Sequence, residues 1–316
     1  MDVQAILAEN TADELKQAFL CADSKMIGNA REIRIRQGLP LAVRTLDGEF
    51  FVSPSGEALT RTQGAFVPTQ NHLKAMVERL TGHSPYAFDS EIKNGYITIT
   101  GGHRVGICGR VTLEDGRIKT IKHISGLNLR VAREVTGAAA QIFPYIYTQK
   151  CGPHNTIFVS PPGCGKTTIL RDAVRRLSYQ GLNVAVVDER SEIAGCHMGV
   201  AQNDLGPRTD VLDAAPKASG MMLALRALSP QVIAVDEIGG AQDVEAIGAV
   251  CQSGVAVLCS LHGKNIGDVQ ARAALAPLLS SKAFTRFVFL TDVPRPGTIE
   301  AVYDEENVRL GGPPCY

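Results

Sequence analysis

Up to about residue 130, apolar and polar positions alternate in short stretches, whereas from residue 156 onward apolar residues gather into continuous runs separated by helical patterns. In the first part, Glu32–Arg36 (EIRIR) alternates as a strand and Gly38-Leu39-Pro40 turns the chain. Leu41–Thr45 then returns, and Asp47-Gly48 leads into Glu49–Val52, which predicts a small antiparallel sheet. Val3, Ile6, Leu7, Leu15, Ala18 and Phe19 have partly helical spacing, and Thr69–Thr81 predicts a helix with Leu73, Met76, Val77 and Leu80 on one side. Gly95–Thr100 and Arg104–Val111 read as partner strands before a turn at Asp115-Gly116. These elements make a mixed α/β domain over 1–136. Residues 137–152, with one short helical piece and a turn at Cys151-Gly152-Pro153, read as a linker to a second domain over 153–316.

The later runs are Thr156–Val159, Val184–Val187, Val232–Val235, Val255–Leu258 and Phe287–Leu290. Runs apolar on both faces and alternating with helices predict a parallel, doubly wound α/β sheet. The first run delivers SPPGCGKTTIL. In it Pro162, Gly163, Cys164, Gly165, Lys166, Thr167 and Thr168 read as a loop that wraps phosphate with backbone N–H groups. Lys166 supplies charge, Thr167 can ligate Mg²⁺, and the following helix points its N-terminus at the anion. The usual pattern puts glycine where Ser160 stands, at the strand exit.

Two more runs end in acids, where ligands of parallel sheets sit. Val184–Val187 leads to Asp188-Glu189-Arg190, and Val232–Val235 to Asp236-Glu237. Asp236 fits a metal-holding residue, and Glu237 a carboxylate that orients or deprotonates water. After the fourth run, Ser260 or His262 could sense a γ-phosphate. The long connection 195–220 and the helix after it carry Arg208 and Arg226, candidates for phosphate or a neighbouring subunit.

Charge sharpens the picture only locally. Lys+Arg and Asp+Glu both number 32, so net charge gives no reason to expect a nucleic-acid or membrane-surface protein. Residues 103–133 nonetheless carry seven Lys or Arg, among them Arg104, Arg110, Arg130 and Arg133, against two acids. This face either meets phosphate, from a neighbour's nucleotide or a nucleic acid, or is simply solvated. No aromatic platform accompanies it, which weakens the nucleic-acid version. The eight cysteines (21, 108, 151, 164, 196, 251, 259 and 315) show no metal-ligand spacing and read as reduced cytosolic thiols. The N-terminus lacks signal-peptide character, and the uncharged stretch 246–263 is broken by Gln252-Ser253-Gly254, so no membrane span is expected.

SPPGCGKTTILRD, VVDERSEIAG, DVLDAAPKASGMMLALRALSPQVIAVDEIGG and SLHG, with LNLRVAREV and GGHRVGICGR upstream, resemble the stage III sporulation protein AA family, which is grouped with secretion and type IV pilus motor ATPases. The resemblance implies a RecA-like P-loop ATPase core using ATP and Mg²⁺, with metal at Thr167 and Asp236. It places hydrolysis at a glutamate, Glu237 or else Glu189 of the acidic box. It further implies a homo-oligomer, a hexameric ring in which arginines of one subunit complete the next subunit's site. The ring would be cytoplasmic and peripheral to a membrane channel of a sporulation complex. The competing expectation is an ATPase stimulated by nucleic acid through the basic face; a small-molecule kinase fits less well, because Asp236-Glu237 supplies a base for water.

Overall fold

Residues 3–84, 88–93 and 95–312 are described by a computed structural model, in which the chain divides into two units, 1–133 and 134–316. In the first unit the alternation becomes a sheet with one apolar face. Ile33 and Ile35 of β1 (Glu32–Arg36) are 0% exposed while Glu32, Arg34 and Arg36 between them stay partly exposed. β1 pairs with β2 (Ala42–Arg44), which continues through β3 (Glu49–Val52) to β4 (Ala58–Leu59). On its other side β1 pairs with β7 (Arg117–Arg130), followed by β6 (His103–Glu114) and β5 (Tyr96–Ile99). Helices α1 (Val3–Asn10), α2 (Asp13–Cys21), α3 (Ser24–Gly28), α4 (Gln70–Leu80) and α5 (Asp89–Lys93) complete the unit. The core joins Ile6, Leu15, Phe19, Ile27, Leu73 and Met76 of the helices to Ile33, Val43, Val105 and Leu129 of the strands.

The second unit begins at Glu134, just ahead of the stretch expected to be a linker, and includes that stretch. Ala139, Ile142 and Ile146 are 0% exposed and belong to its core, so 137–152 packs with this unit through the apolar residues of its short helical piece. It contains α6 (Phe143–Ile146) and the pair β8 (Tyr147–Thr148) and β9 (Gly152–Pro153). The main elements follow as β10 (Thr156–Ser160), α7 (Lys166–Tyr179), β11 (Val184–Asp188), β12 (Thr209–Asp213) and α8 (Lys217–Ala227). Next come β13 (Val232–Glu237), α9 (Ala241–Gln252), β14 (Ala256–His262), α10 (Ile266–Gln270) and α11 (Ala276–Ser280). Strands β15 (Arg286–Thr291), β16 (Thr298–Tyr303) and β17 (Arg309–Gly311) end the unit.

The eight strands run in the order β12-β11-β13-β14-β10-β15-β16-β17. The first six are parallel and the last two antiparallel. Within β10, Phe158 packs on the face that carries α7, and its neighbours Ile157 and Val159 on the face that carries α8 and α9. The sheet is therefore wound on both sides, as the unbroken apolar runs required. Strand β12 lies inside the long connection 195–220; its half-buried, acid-flanked sequence TDVLD hides it from an apolar pattern. The uncharged stretch 246–263 splits into the end of α9 and β14, and among the described residues no helix is long and apolar enough to cross a membrane.

Phe158 is 0% exposed at the centre of this sheet. Phe158→Ala should lower unfolding stability by about 3–5 kcal/mol, because a ring's contacts are lost and the close-packed wall relaxes only partly. Denaturant unfolding measures this, and a loss under about 1 kcal/mol would show that the site is loosely packed.

Candidate active site

The parallel strands end together, and their ends carry the polar residues. Ser160 of β10 lies opposite His262 of β14, and Glu237 of β13 opposite Ser260. The β13–β14 register slips between Ala234 and Glu237, an irregularity of the kind that re-aims side chains beside active sites. Between β10 and α7 the chain passes Gly163 at φ +81° and Gly165 at φ +85°, a left-handed backbone that glycine tolerates best. A Cβ on Gly165 would also come within 3.2 Å of the Gly297 amide nitrogen.

These elements enclose a cleft of about 360 Å³. Pro162, Gly163, Gly165, Lys166, Thr167 and Thr168 form one wall; Arg190, Glu192, Asp236, Glu237, Ser260 and His262 form the rest. Lys166 is the first residue of α7 and is buried. Its ammonium donates to Ser160 O at 2.9 Å, Pro161 O at 3.0 Å and His262 Nδ1 at 3.0 Å. Ser160 Oγ lies 3.2 Å away, so the residue that replaces the usual glycine faces the lysine head.

An ammonium can only donate, so His262 Nδ1 accepts and the ring proton resides on Nε2. That nitrogen stands 3.0 Å from Glu237 Oε2, and the three groups form one chain, Lys166 to His262 to Glu237. Burial pulls the Lys166 pKa below the ordinary lysine value, while Glu237, Cys164 and Asp236 act in the opposite direction.

Asp236 is buried and accepts from Ser260 Oγ at 3.3 Å. Burial raises its pKa, and repulsion from Glu192 adds to this. Three carboxylates, Glu192, Asp236 and Glu237, and Thr167 thus line one cleft and supply hard oxygen donors of the kind Mg²⁺ takes. The described residues contain no group of three or more His, Cys, Asp or Glu side chains able to hold a metal alone. A Mg²⁺ at this place fits if phosphate oxygens complete its shell, which is how this ion is usually bound beside nucleotides.

The acidic stretch after β11 folds differently from its motif reading. Asp188 is 0% exposed, and its carboxylate accepts the amides of Glu192 (2.8 Å), Ile193 (3.0 Å) and Ala194 (2.8 Å). Burial pushes its pKa up to about 6, against the pull of those N–H groups. The loop is thereby reeled back onto the strand end. Glu192 lines the cleft, whereas Glu189, the expected second candidate, does not and is ion-paired with Lys217. Arg190, expected at the end of β11, also lines the cleft, and Glu192 is the lining residue that motif reasoning missed. Its signal was a third acid four positions after Asp188, in DERSE.

The remaining candidates stand elsewhere. Cys164 is buried in the loop, with its thiol toward Pro162 O and not on the cleft wall. Arg226 is exposed on α8 and donates to Met222 O, outside the cleft lining. Arg104, Arg110, Arg130 and Arg133 belong to the first unit. Arg104 and Arg130 face each other across β6 and β7, and the Arg104 guanidinium lies 4.8 Å from the Tyr96 ring centre. Arg110 is exposed opposite Lys122. Arg133 donates to Gly28 O (3.0 Å) and Ala30 O (3.3 Å) within its own unit.

Known proteins share this architecture. The X-ray structure of the Legionella pneumophila ATPase DotB superposes with a TM-score of 0.53 at 16% identity, covering 87% of this chain and 74% of that one. The pilus retraction motor PilT, crystallised with bound ADP, gives 0.54 at 15% identity, with 84% and 75% covered. At such identities the likeness shows the fold alone, a RecA-like P-loop ATPase fold. Stage III sporulation protein AA of Bacillus subtilis (strain 168) is 38% identical over 307 residues, 95% of each chain. Residues 3–310 match the profile of the family described as "Sporulation stage III, protein AA", and the chain belongs to that family.

Proposed function

We propose that this chain is a Mg²⁺-dependent ATPase acting as an oligomeric motor at a membrane-embedded, secretion-like channel during spore formation. One observation carries the reading: the phosphate-type loop and the acidic end of β13 wall the same cleft. In it the backbone of Gly163–Thr168 receives the phosphates and Lys166 neutralises them. Thr167 and Asp236 would hold Mg²⁺, which supplies charge stabilisation at the transferred phosphoryl group. Glu237, oriented by His262 Nε2 at 3.0 Å, takes the proton of the attacking water. Glu192 lines the same cleft from the loop after β11 and is the second carboxylate available for that role, in place of Glu189.

The resemblance to ring-forming motors extends the proposal to a hexamer, cytoplasmic and peripheral to its membrane partner. In such a ring Arg104, Arg110, Arg130 or Arg226 of one subunit would reach the next subunit's nucleotide. The Arg133 guanidinium is already committed to Gly28 and Ala30, which makes it the weakest of these candidates. Mass measurement of the purified protein with and without MgATP tests the ring. The expected result is nucleotide-dependent assembly, and mixing in Arg130→Ala subunits should lower turnover more than in proportion to their share. A monomer under every nucleotide condition would overturn the motor reading.

A further inference from the structure

Asp172 is a buried charge for which the chemistry above has no use. It lies on α7, six residues beyond Lys166, or about 9 Å along the helix axis at 1.5 Å per residue. Its side chain is 1% exposed. One oxygen accepts the Gly137 amide at 3.1 Å and the other the Ala139 amide at 2.8 Å. Arg175 and Arg176 add charge-assisted bonds at 2.9 Å each. Burial alone would raise the Asp172 pKa, but these donors hold it below the ordinary aspartate value. The neighbouring Arg171 reaches to another part of the unit, donating to Ile193 O and Glu192 O at 2.6 Å each.

Helix α7 therefore anchors two segments at once: the loop that hangs Glu192 into the cleft, and the stretch that opens the second unit at residue 134. Gly137 sits at φ +83°, a conformation few side chains tolerate, and its amide meets the carboxylate there. Glu134 is fixed as well, accepting the Asp204 amide at 2.9 Å. Removing one partner of so fully bonded a buried carboxylate is costly, so the contacts break together or move together.

We infer that Asp172 is a positioning residue that ties residues 134–139 to the helix whose N-terminus receives phosphate, so that nucleotide binding is transmitted to the start of the second unit. This rests on the ATPase reading. Hydrogen exchange of residues 134–142 with and without MgADP, alongside MgADP affinity, tests it in the full chain. In the native protein, nucleotide should slow exchange in this stretch by about fivefold or more, as expected when a local opening is suppressed. Asp172→Asn should bind MgADP within about threefold of the native affinity and lose that protection. Asp172→Glu keeps the charge for Arg175 and Arg176 but displaces the carboxylate. It should lose the protection too, which provides a second reading if the asparagine variant does not fold. A variant that binds normally and keeps the full nucleotide-dependent protection would overturn the inference. Native protein that binds no nucleotide would instead refute the ATPase reading on which it rests.

Discussion

Lys166→Ala is expected to lose ATP binding by about 100-fold and turnover by at least as much. A single charge-assisted hydrogen bond is worth about 1.5–3 kcal/mol, and 1.4 kcal/mol is tenfold in affinity. Lys166 is the cation at the loop's helix start, placed there by the α7 N-terminus and buried against Ser160 and Pro161. Among the described residues no other lysine lines the cleft, and Arg190 is the arginine that does. The variant should still fold: removing the side chain also removes the cost of burying an ammonium, a cost already visible in its lowered pKa. Titration with a fluorescent ATP analogue, checked by circular dichroism, separates the two effects. Native affinity in the folded variant would mean that this loop does not hold phosphate.

Glu237→Gln should separate binding from turnover. The amide keeps the shape of the side chain and can still meet His262, so MgATP should bind within about threefold of native. Hydrolysis should fall by about 10²–10⁴-fold, the range for loss of a general base. ATP held without conversion in a single-turnover assay is the signature. The choice of Glu237 over its rivals is geometric. It lies one residue after Asp236 and is 3.0 Å from His262 Nε2, whereas Glu189 is engaged by Lys217. Glu192 is the alternative that the fold introduces, and normal turnover by the Glu237→Gln protein would transfer the base role to it.

The difference between Glu189 and Glu192 shows where reading residues in order stops working. GKTT and the Asp236-Glu237 strand end were legible because each depends on local rules: glycines that permit positive φ, a helix N-terminus, and an apolar run that delivers its last residue to the sheet edge. The same rule applied to β11 favours Glu189, the residue directly after the strand. What decides the outcome is the Asp188 carboxylate, buried and bonded to three amides further along, which folds the loop so that Glu192 returns to the cleft. Such a contact depends on burial, and burial is a property of the assembled fold.

Fold features divided in the same way. The five apolar runs were readable, since a strand buried on both faces must be apolar throughout. Strand β12 was not, because Asp210 and Asp213 break its pattern and its pairing with β11 leaves it at the sheet edge. Nor were β16 and β17, the antiparallel pair at one end of the sheet, whose Thr298, Glu300 and Arg309 give mixed burial. The stretch 137–152 read as a linker because its one helical piece, with Ala139, Ile142 and Ile146 at helical spacing, is short, contains Pro144 and runs into the Cys151-Gly152-Pro153 turn. Ala139, Ile142 and Ile146 are buried nonetheless, and the Asp172 carboxylate binds two amides at the start of that stretch.

Phosphate release from MgATP by the purified native chain, compared with Lys166→Ala and Glu237→Gln under identical conditions, bears most directly on the claim that this cleft hydrolyses nucleotide. The native protein should release phosphate only with Mg²⁺ present, Lys166→Ala should neither bind nor release, and Glu237→Gln should bind and hold ATP. Equal release from all three proteins, or none from a native chain saturated with MgATP, would contradict it.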